Sequence, residues 1–441
     1  MADLSSPAPP SAPVEARERV LLLDVLRGFA LGGVFVSNAY MHLNGTVLLP
    51  AARAEALKAA PWDAAVGWLF DTLITGKAMA LFSFLFGLGF ALQLGRAEGR
   101  GASIVPLYAR RLGVLFVIGL VHRLGLWYGD VLATYAVMGF VLLQFREVPP
   151  RRLLGWSLAL CLLGPLAVTA VLKLVPVWAS SRETVRAFAQ EDLARVALIK
   201  AETLRGFQSG DYLTTARANL TYYTDLFFRP RQVTYLLDTL GRFLLGLLAG
   251  RLLLFQDVAR HRPLFRRLLG MGLVAAVVGE AVSQGVPRLL KAGRLPESFN
   301  LPWQVLQPSL HEVGVLGMAC VYAAGFALLF QHTRGQRALR WLAPAGQMAL
   351  TNYLSQTLIS QFVFYGYGFN LIGRLPAARC IGLMTALFLV QVGLSHLWLA
   401  RFRFGPAEWV WRSLTYGRRQ PLLRESSPRA PALGAQPSAP P

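Results

Sequence analysis

Apolar residues along this chain run in long blocks separated by short stretches dense in arginine. A helical run of about 20 such residues matches the hydrocarbon thickness of a bilayer. The pattern predicts ten spans, near 21–42, 76–95, 108–125, 129–146, 153–177, 234–256, 265–286, 306–330, 342–366 and 378–400, and so an all-α polytopic transmembrane helical bundle. One large segment interrupts the sequence of spans, 179–232. Its stretch RETVRAFAQEDLARVALIKAETL has the mixed charge and amphipathic spacing of a surface helix. It reads as a solvated connection or as a lid. Residues 1–20 and 421–441, rich in Pro, Ala and Ser, are expected as disordered cytoplasmic tails flanking a single domain over 21–420.

Composition strengthens the membrane reading. Of 441 residues 54% are hydrophobic and 15% charged, and mean hydropathy is positive, a balance too apolar for a soluble globule. The formal charge of +21 sits in arginine clusters on alternate short connections, among them Arg96, Arg110 and Arg111, then Arg146, Arg151 and Arg152, then Arg260, Arg262, Arg266 and Arg267. The positive-inside bias assigns those connections and both termini to the cytoplasm, and 179–232 to the outside. With no basic domain, nucleic acid is not an expected partner, whereas anionic lipid headgroups are. The N-terminal tail lacks an apolar core, so the first span is expected to act as an uncleaved anchor. Cys161, Cys320 and Cys380 stand alone in apolar runs, which supports neither a disulfide framework nor a metal site.

Polar residues inside the spans carry the candidate chemistry, because ionisable groups in a bilayer are costly and usually mark a site or a pathway. The first span, LDVLRGFALGGVFVSNAYMHL, contains Asp24, Arg27, Asn38 and His42. At about 100° per residue all four fall on one narrow stripe, which is expected to face protein. Gly28 and Gly32 form a GxxxG step close to it that admits a neighbouring backbone. Arg27 and His42 lie roughly 22 Å apart along the helix, so only a long ligand, or two substrates entering from opposite faces, engages both.

Farther along, VHRLGLWYGDVLATYA places His122 at the end of one span and Asp130 at the start of the next. Asp130 reads as an N-cap close enough to orient His122 as a base. The alternatives are an interfacial histidine and a capping aspartate, and for His42 a wetted interfacial ring. Asp71, Asp238, Arg242, Glu280, His311 and Glu312 add further polar groups at outer-leaflet depth, some of them expected as structural ion pairs. In GQMALTNYLSQTLI, Asn352 and Gln356 share a face suited to interhelical hydrogen bonds. FRFGPAEWVWRSLTYG reads as a helix on the cytoplasmic surface, with Glu408 and Arg412 as an i,i+4 pair. GxSxG, HExxH and P-loop motifs are absent.

Across nearly its whole length the chain resembles the YeiB-like bacterial membrane proteins, classed as domain of unknown function 418. The stretches that carry the likeness are LDVLRGFALGGVFVSNA, LFSFLFGLGFALQLGR, VHRLGLWYGDVLATYA, GQMALTNYLSQTLI and FGPAEWVWRSLTYG. The opening LDVLRG is also similar to the start of the transmembrane acyltransferase superfamily. These resemblances imply a multi-pass protein of the bacterial inner membrane that takes an acyl group from cytoplasmic acyl-CoA to an envelope glycan or lipid acceptor outside. Arg27, with Asp24, would then meet the donor's phosphates, His42 would act as base, and Asn38 would donate to the oxyanion, with His122 and Asp130 as a second candidate pair. This mechanism expects a cavity crossing from Arg27 to His42. A secondary transporter using the same polar residues is the competing class, and a membrane scaffold a third.

Overall fold

The first apolar run folds as α1 (Leu21–Asn38), whose last turn widens into a π-helical turn, Ala39–Leu43. These coordinates, a computed structural model, describe residues 20–99, 103–179, 181–227, 229 and 231–424. Apart from Val20 and 421–424, the two expected tails lie outside the described residues. Two short helices follow, α2 (Ala51–Ala56) and α3 (Pro61–Leu73), then the long apolar α4 (Lys77–Glu98) and α5 (Val105–Gly125). The next pair is α6 (Leu132–Leu142) and α7 (Pro150–Leu158), the latter continuing through a π turn into α8 (Gly164–Ala179). The expected surface segment forms two helices, α9 (Arg182–Phe207) and α10 (Tyr212–Phe227). Then come α11 (Arg231–Arg251), α12 (Arg262–Lys291), α13 (Asn300–Leu329), α14 (Thr333–Leu339), α15 (Ala343–Gln347), α16 (Ala349–Phe364), α17 (Ala377–Arg401) and α18 (Pro406–Tyr416).

Each of the ten expected spans is helical, and the molecule is a polytopic helical bundle. Among the described residues, eight helical stretches are long and apolar enough to cross a membrane. The fourth expected span is the short apolar stretch Leu132–Phe145. The ninth, read from sequence as one helix over 342–366, is broken at Met348, where ψ turns to 33° between α15 and α16. Its second half is too polar to count by hydropathy, carrying Thr351, Asn352, Ser355, Gln356, Thr357, Ser360 and Gln361 in 16 residues.

α1 is the hub. In its most apolar window 67% of residues are buried, against 11% for the span built from α7 and α8, which is therefore the lipid-facing periphery. Packing against α4, α13, α15, α16 and α17 encloses α1 on most sides. Close approach depends on small residues. A β-carbon on Gly28 would collide with the Leu342 carbonyl, and one on Gly346 with the Asp24 carbonyl, so α1 and α15 touch backbone to backbone. Gly32, the other half of the expected GxxxG step, faces the ring of Phe388 on α17 instead.

Candidate functional site

The tight turn between α5 and α6 builds a buried polar centre. His122, 2% exposed, directs Nδ1 to the Asp130 carboxylate at 2.9 Å and Nε2 to the Thr357 hydroxyl of α16, also at 2.9 Å. With the carboxylate on one nitrogen, Nδ1 is assigned the proton and Nε2 the lone pair that accepts from Thr357. The other Asp130 oxygen accepts the Ala133 backbone N–H at 2.9 Å. The helix starts one residue later than a direct N-cap at Asp130 would require, with Val131 as cap, yet the carboxylate does bind the first turn. Arg123 donates to the Asp130 carbonyl and to Thr134.

The surface segment secures this turn. Asn219 of α10 is fully buried, accepts the Tyr128 N–H at 2.6 Å and donates to the Arg123 carbonyl at 2.9 Å. From α16, Gln361 donates to the Leu126 carbonyl. Phe207 at the end of α9 stacks on Tyr365 at 4.5 Å, with Tyr128 beyond it. α9 and α10 thus close over the turn instead of merely connecting spans. On their outer side, two hydrogen bonds from Arg229 hold the Asp192 carboxyl below the usual carboxylate range.

A second feature lies at the other end of α1. A cavity of about 280 Å³ is lined by Asp24 and Arg27 of α1, Gln93 and Arg96 of α4, Tyr108 and Arg111 of α5, and Glu408, Trp411 and Arg412 of α18. Four arginines against two carboxylates leave its lining formally +2. Farther in the walls turn apolar and aromatic, with Phe82, Phe86, Leu115, Leu132, Tyr135 and Tyr353. From Arg96 to Phe82 along α4 the cavity extends about 21 Å. It is therefore basic at one end and oily at the other.

Asp24 and Arg27 form a 2.6 Å ion pair within α1 and line this cavity, as expected of residues that share a face. Asn38 lines a different, far smaller cavity of about 10 Å³, together with Phe35, Trp127, Tyr353, Gln356, Thr357 and Ser360. Among the described residues the single cavity crossing from Arg27 to His42 is not formed, and two separate cavities count against the two-ended mechanism that the resemblance implied. Two cavities share Tyr353 as their wall, and its ring stands 5.4 Å from that of His122. His42 lies beside Trp127 and Tyr128, at ring separations of 6.2 and 6.3 Å, with its Nδ1 buried and unpartnered among the described residues. The π turn that contains it has i→i+5 bonding, which breaks the 100° spacing. Among the described residues Asn38 makes no hydrogen bond to that imidazole nitrogen.

Several partners were not singled out in the sequence. Thr357 and Tyr353 sit one helical turn apart in NYLSQT, where only their common face on α16 hinted at a shared role. Glu408 does not pair with Arg412. It accepts the N–H groups of Leu350 at 2.6 Å and Thr351 at 3.1 Å and the Thr351 hydroxyl at 2.5 Å, capping the free start of α16 from another helix. Burial pushes its carboxyl up from the ordinary value. Arg412 lies over the Phe404 ring. Asn352 and Gln356 make the interhelical hydrogen bonds expected of them, to Ser395 and Gln391 of α17.

Away from both cavities, Arg242 binds Glu312 with two hydrogen bonds, of 2.9 and 2.5 Å, and fully buried Lys77 meets Glu280 at 3.3 Å. The ligand atoms of Cys161, Asp238 and Glu312 lie within 4.8 Å of one another. The Arg242 guanidinium already occupies both Glu312 oxygens, so Glu312 is committed to an ion pair before it can serve a cation.

Comparison with known proteins matches residues 249–418 to the family described as "Protein of unknown function (DUF418)". Over the whole chain it is similar to the uncharacterized protein YxaH of Bacillus subtilis (strain 168), 31% identical over 94% of this chain and 98% of that protein. It is also similar to an uncharacterized 39.9 kDa protein in the amylase 3′ region of Bacillus acidopullulyticus, 29% identical over 93% of this chain and 98% of the relative. The uncharacterized protein YeiB of Escherichia coli (strain K12) is 28% identical over 93% of this chain and all of YeiB. No solved structure matches the chain.

Proposed function

We propose, from the premise that this chain belongs to the YeiB-like DUF418 family of membrane proteins, that it is a transmembrane acyltransferase using acyl-CoA as donor. The observation that carries the reading is the 280 Å³ cavity, with arginines at one end and an apolar depth that stops at Tyr353, beside His122. A ligand matching that gradient is a polyanion joined to an oily arm. Arginine suits the anionic end because its planar fork binds phosphate oxygens in pairs. The arm would lie along Phe82, Phe86 and Leu115, bringing the reactive carbonyl to the Tyr353 wall.

In this reading the arginine-rich end faces the cytoplasm of a bacterial inner membrane and the His122 turn faces outward, beneath α9 and α10. The acceptor would be a hydroxyl or amine of an envelope glycan or lipid. The base is His122 in preference to His42, because only His122 has a carboxylate to fix its tautomer and to stabilise the imidazolium that forms. Asn38, in the small cavity beside Thr357, supplies a donor toward the developing oxyanion.

Titration of purified protein in lipid nanodiscs with acyl-CoA tests the donor. Arg111, which donates to Gln93 at 2.8 Å and covers the Trp411 ring at 4.2 Å, sits at the phosphate end. Arg111→Ala should weaken binding about tenfold or more, the usual scale of a charge-assisted contact. Its effect should fall on KM more than on kcat, since the contact is made in ground and transition states alike. Wild-type protein that binds neither acyl-CoA nor CoA would sink the proposal. The buried Arg242–Glu312 and Lys77–Glu280 pairs favour a transporter as the second reading, because paired charges inside spans are common on ion and proton pathways. Solute uptake into liposomes that depends on Glu280 or Glu312, without thioester turnover, would select it.

A further inference from the structure

His122 is held at both nitrogens, so the proton it can take without rearrangement is that of Thr357. All three members of the chain, Asp130, His122 and Thr357, are buried to 3% exposure or less. Carboxylate to Nδ1 and hydroxyl to Nε2 is the order in which a hydrolase activates a serine, with threonine in its place here. Thr357 also lines the small cavity, whose volume of about 10 Å³ is that of a single water-sized sphere. Ser360 and Trp127 line it too, and the Ser360 hydroxyl and the Trp127 indole nitrogen are buried without hydrogen-bond partners among the described residues. The unpaired Ser360 hydroxyl and room for one oxygen stand beside the Thr357 hydroxyl, with the Gln356 carboxamide, whose oxygen is also unpaired, able to turn its NH₂ toward a developing oxyanion.

We propose that Thr357 is the nucleophile and carries the acyl group as an oxyester between donor and acceptor. The inference rests on the acyltransferase reading and deepens it. Thr357 Oγ1 attacks the thioester carbonyl carbon while its proton passes to His122 Nε2, and the carbonyl oxygen becomes the oxyanion. The C–S bond then breaks, and the thiol leaves with the proton from the imidazolium. In the second half the acceptor hydroxyl or amine attacks the ester, its proton passes to His122, and the C–O bond to Thr357 breaks as Oγ1 recovers that proton. Asp130 is a positioning residue throughout. Tyr353, the wall between the cavities, must swing aside to admit the carbonyl.

Full-length protein in nanodiscs, mixed with acyl-CoA in the absence of acceptor and quenched in acid, tests this. The expected result is a burst of one thiol per protein and an acyl mass increment on the peptide containing Thr357, stable to neutral hydroxylamine as an oxyester is and an acyl-imidazole is not. Thr357→Val should lose the adduct and Thr357→Ser keep it, while His122→Gln should slow its formation at least 100-fold. Should Thr357→Val fail to fold, the wild-type adduct and the Ser variant still decide. Acceptor acylation by wild-type protein with no burst and no adduct on Thr357, or by Thr357→Val at a near-normal rate, would overturn the covalent role and leave the acyltransferase standing. No thiol release with any acyl-CoA and no acylated acceptor would overturn both.

Discussion

The two histidines near the turn differ in their partners: His122 has a carboxylate and a hydroxyl on its two nitrogens, and His42 Nδ1 has none among the described residues. A ring with no orienting partner has no preferred tautomer and no group to share the charge when it takes a proton. In the proposed acyltransferase mechanism His122→Ala should therefore lower turnover by about 10²–10⁴, the range of a general base. His42→Ala should lower it less than about tenfold, since His42 packs on Trp127 and Tyr128 and takes no part in the proposed proton transfer. The two rate constants, measured on folded, monodisperse protein, check this, and equal losses would return His42 to the mechanism. Asn38, by contrast, lines the small cavity, apart from the Asp24 and Arg27 with which it shares a stripe on α1.

At the scale of elements, the break at Met348 is what gives α18 its role. A helix that starts inside the protein exposes its first N–H groups, and Glu408 reaches across to accept two of them. Glu408→Ala leaves both unpaired in a buried place and should cost about 1–3 kcal/mol, with Glu408→Gln losing less because one acceptor oxygen remains. Thermal unfolding in detergent measures the difference. A different linkage governs α9 and α10. The folded-state carboxyl of Asp192 is depressed by Arg229, so its contribution is present above the unfolded pKa and is lost as pH falls through the folded one. The pair is partly exposed, so the effect is local. Amide protection in α9 and α10 should fall in acid, and Asp192→Asn should remove that pH dependence while lowering protection at neutral pH.

For the whole molecule, the bundle sets the two cavities at opposite ends of α1, with the aromatic wall of Tyr353 between them. The proposed reaction requires that wall to open between donor and acceptor sides, and sidedness is its first test. Reporter fusions at about residue 205, in α9, should behave as external, and fusions in the arginine-bearing connection that follows α11 as cytoplasmic. A cytoplasmic residue 205 would place the His122 turn and the arginine-rich cavity on sides that the proposed chemistry does not allow.

Hydrophobic block length determined the class of this protein, because a bilayer demands helices of a given length and apolarity and the chain writes them plainly. The arginine clusters carry a testable orientation for the same reason, each being a local property of a short segment. Local spacing also sufficed for the Asp24–Arg27 pair, three residues apart, and for the nearness of His122 to Asp130 across a turn. Tertiary packing alone decided the rest. Thr357 reaches His122 from a helix 235 residues away in sequence, Glu408 finds α16 rather than its neighbour Arg412, and a π turn rotates His42 off its expected angle. None of these follows from periodicity, since each depends on which faces meet when α1 is enclosed, and that is fixed by the close approach of Gly28 and Gly346 and by the break at Met348. The chain states which polar groups lie within its spans, and only the assembled bundle determines which of them touch.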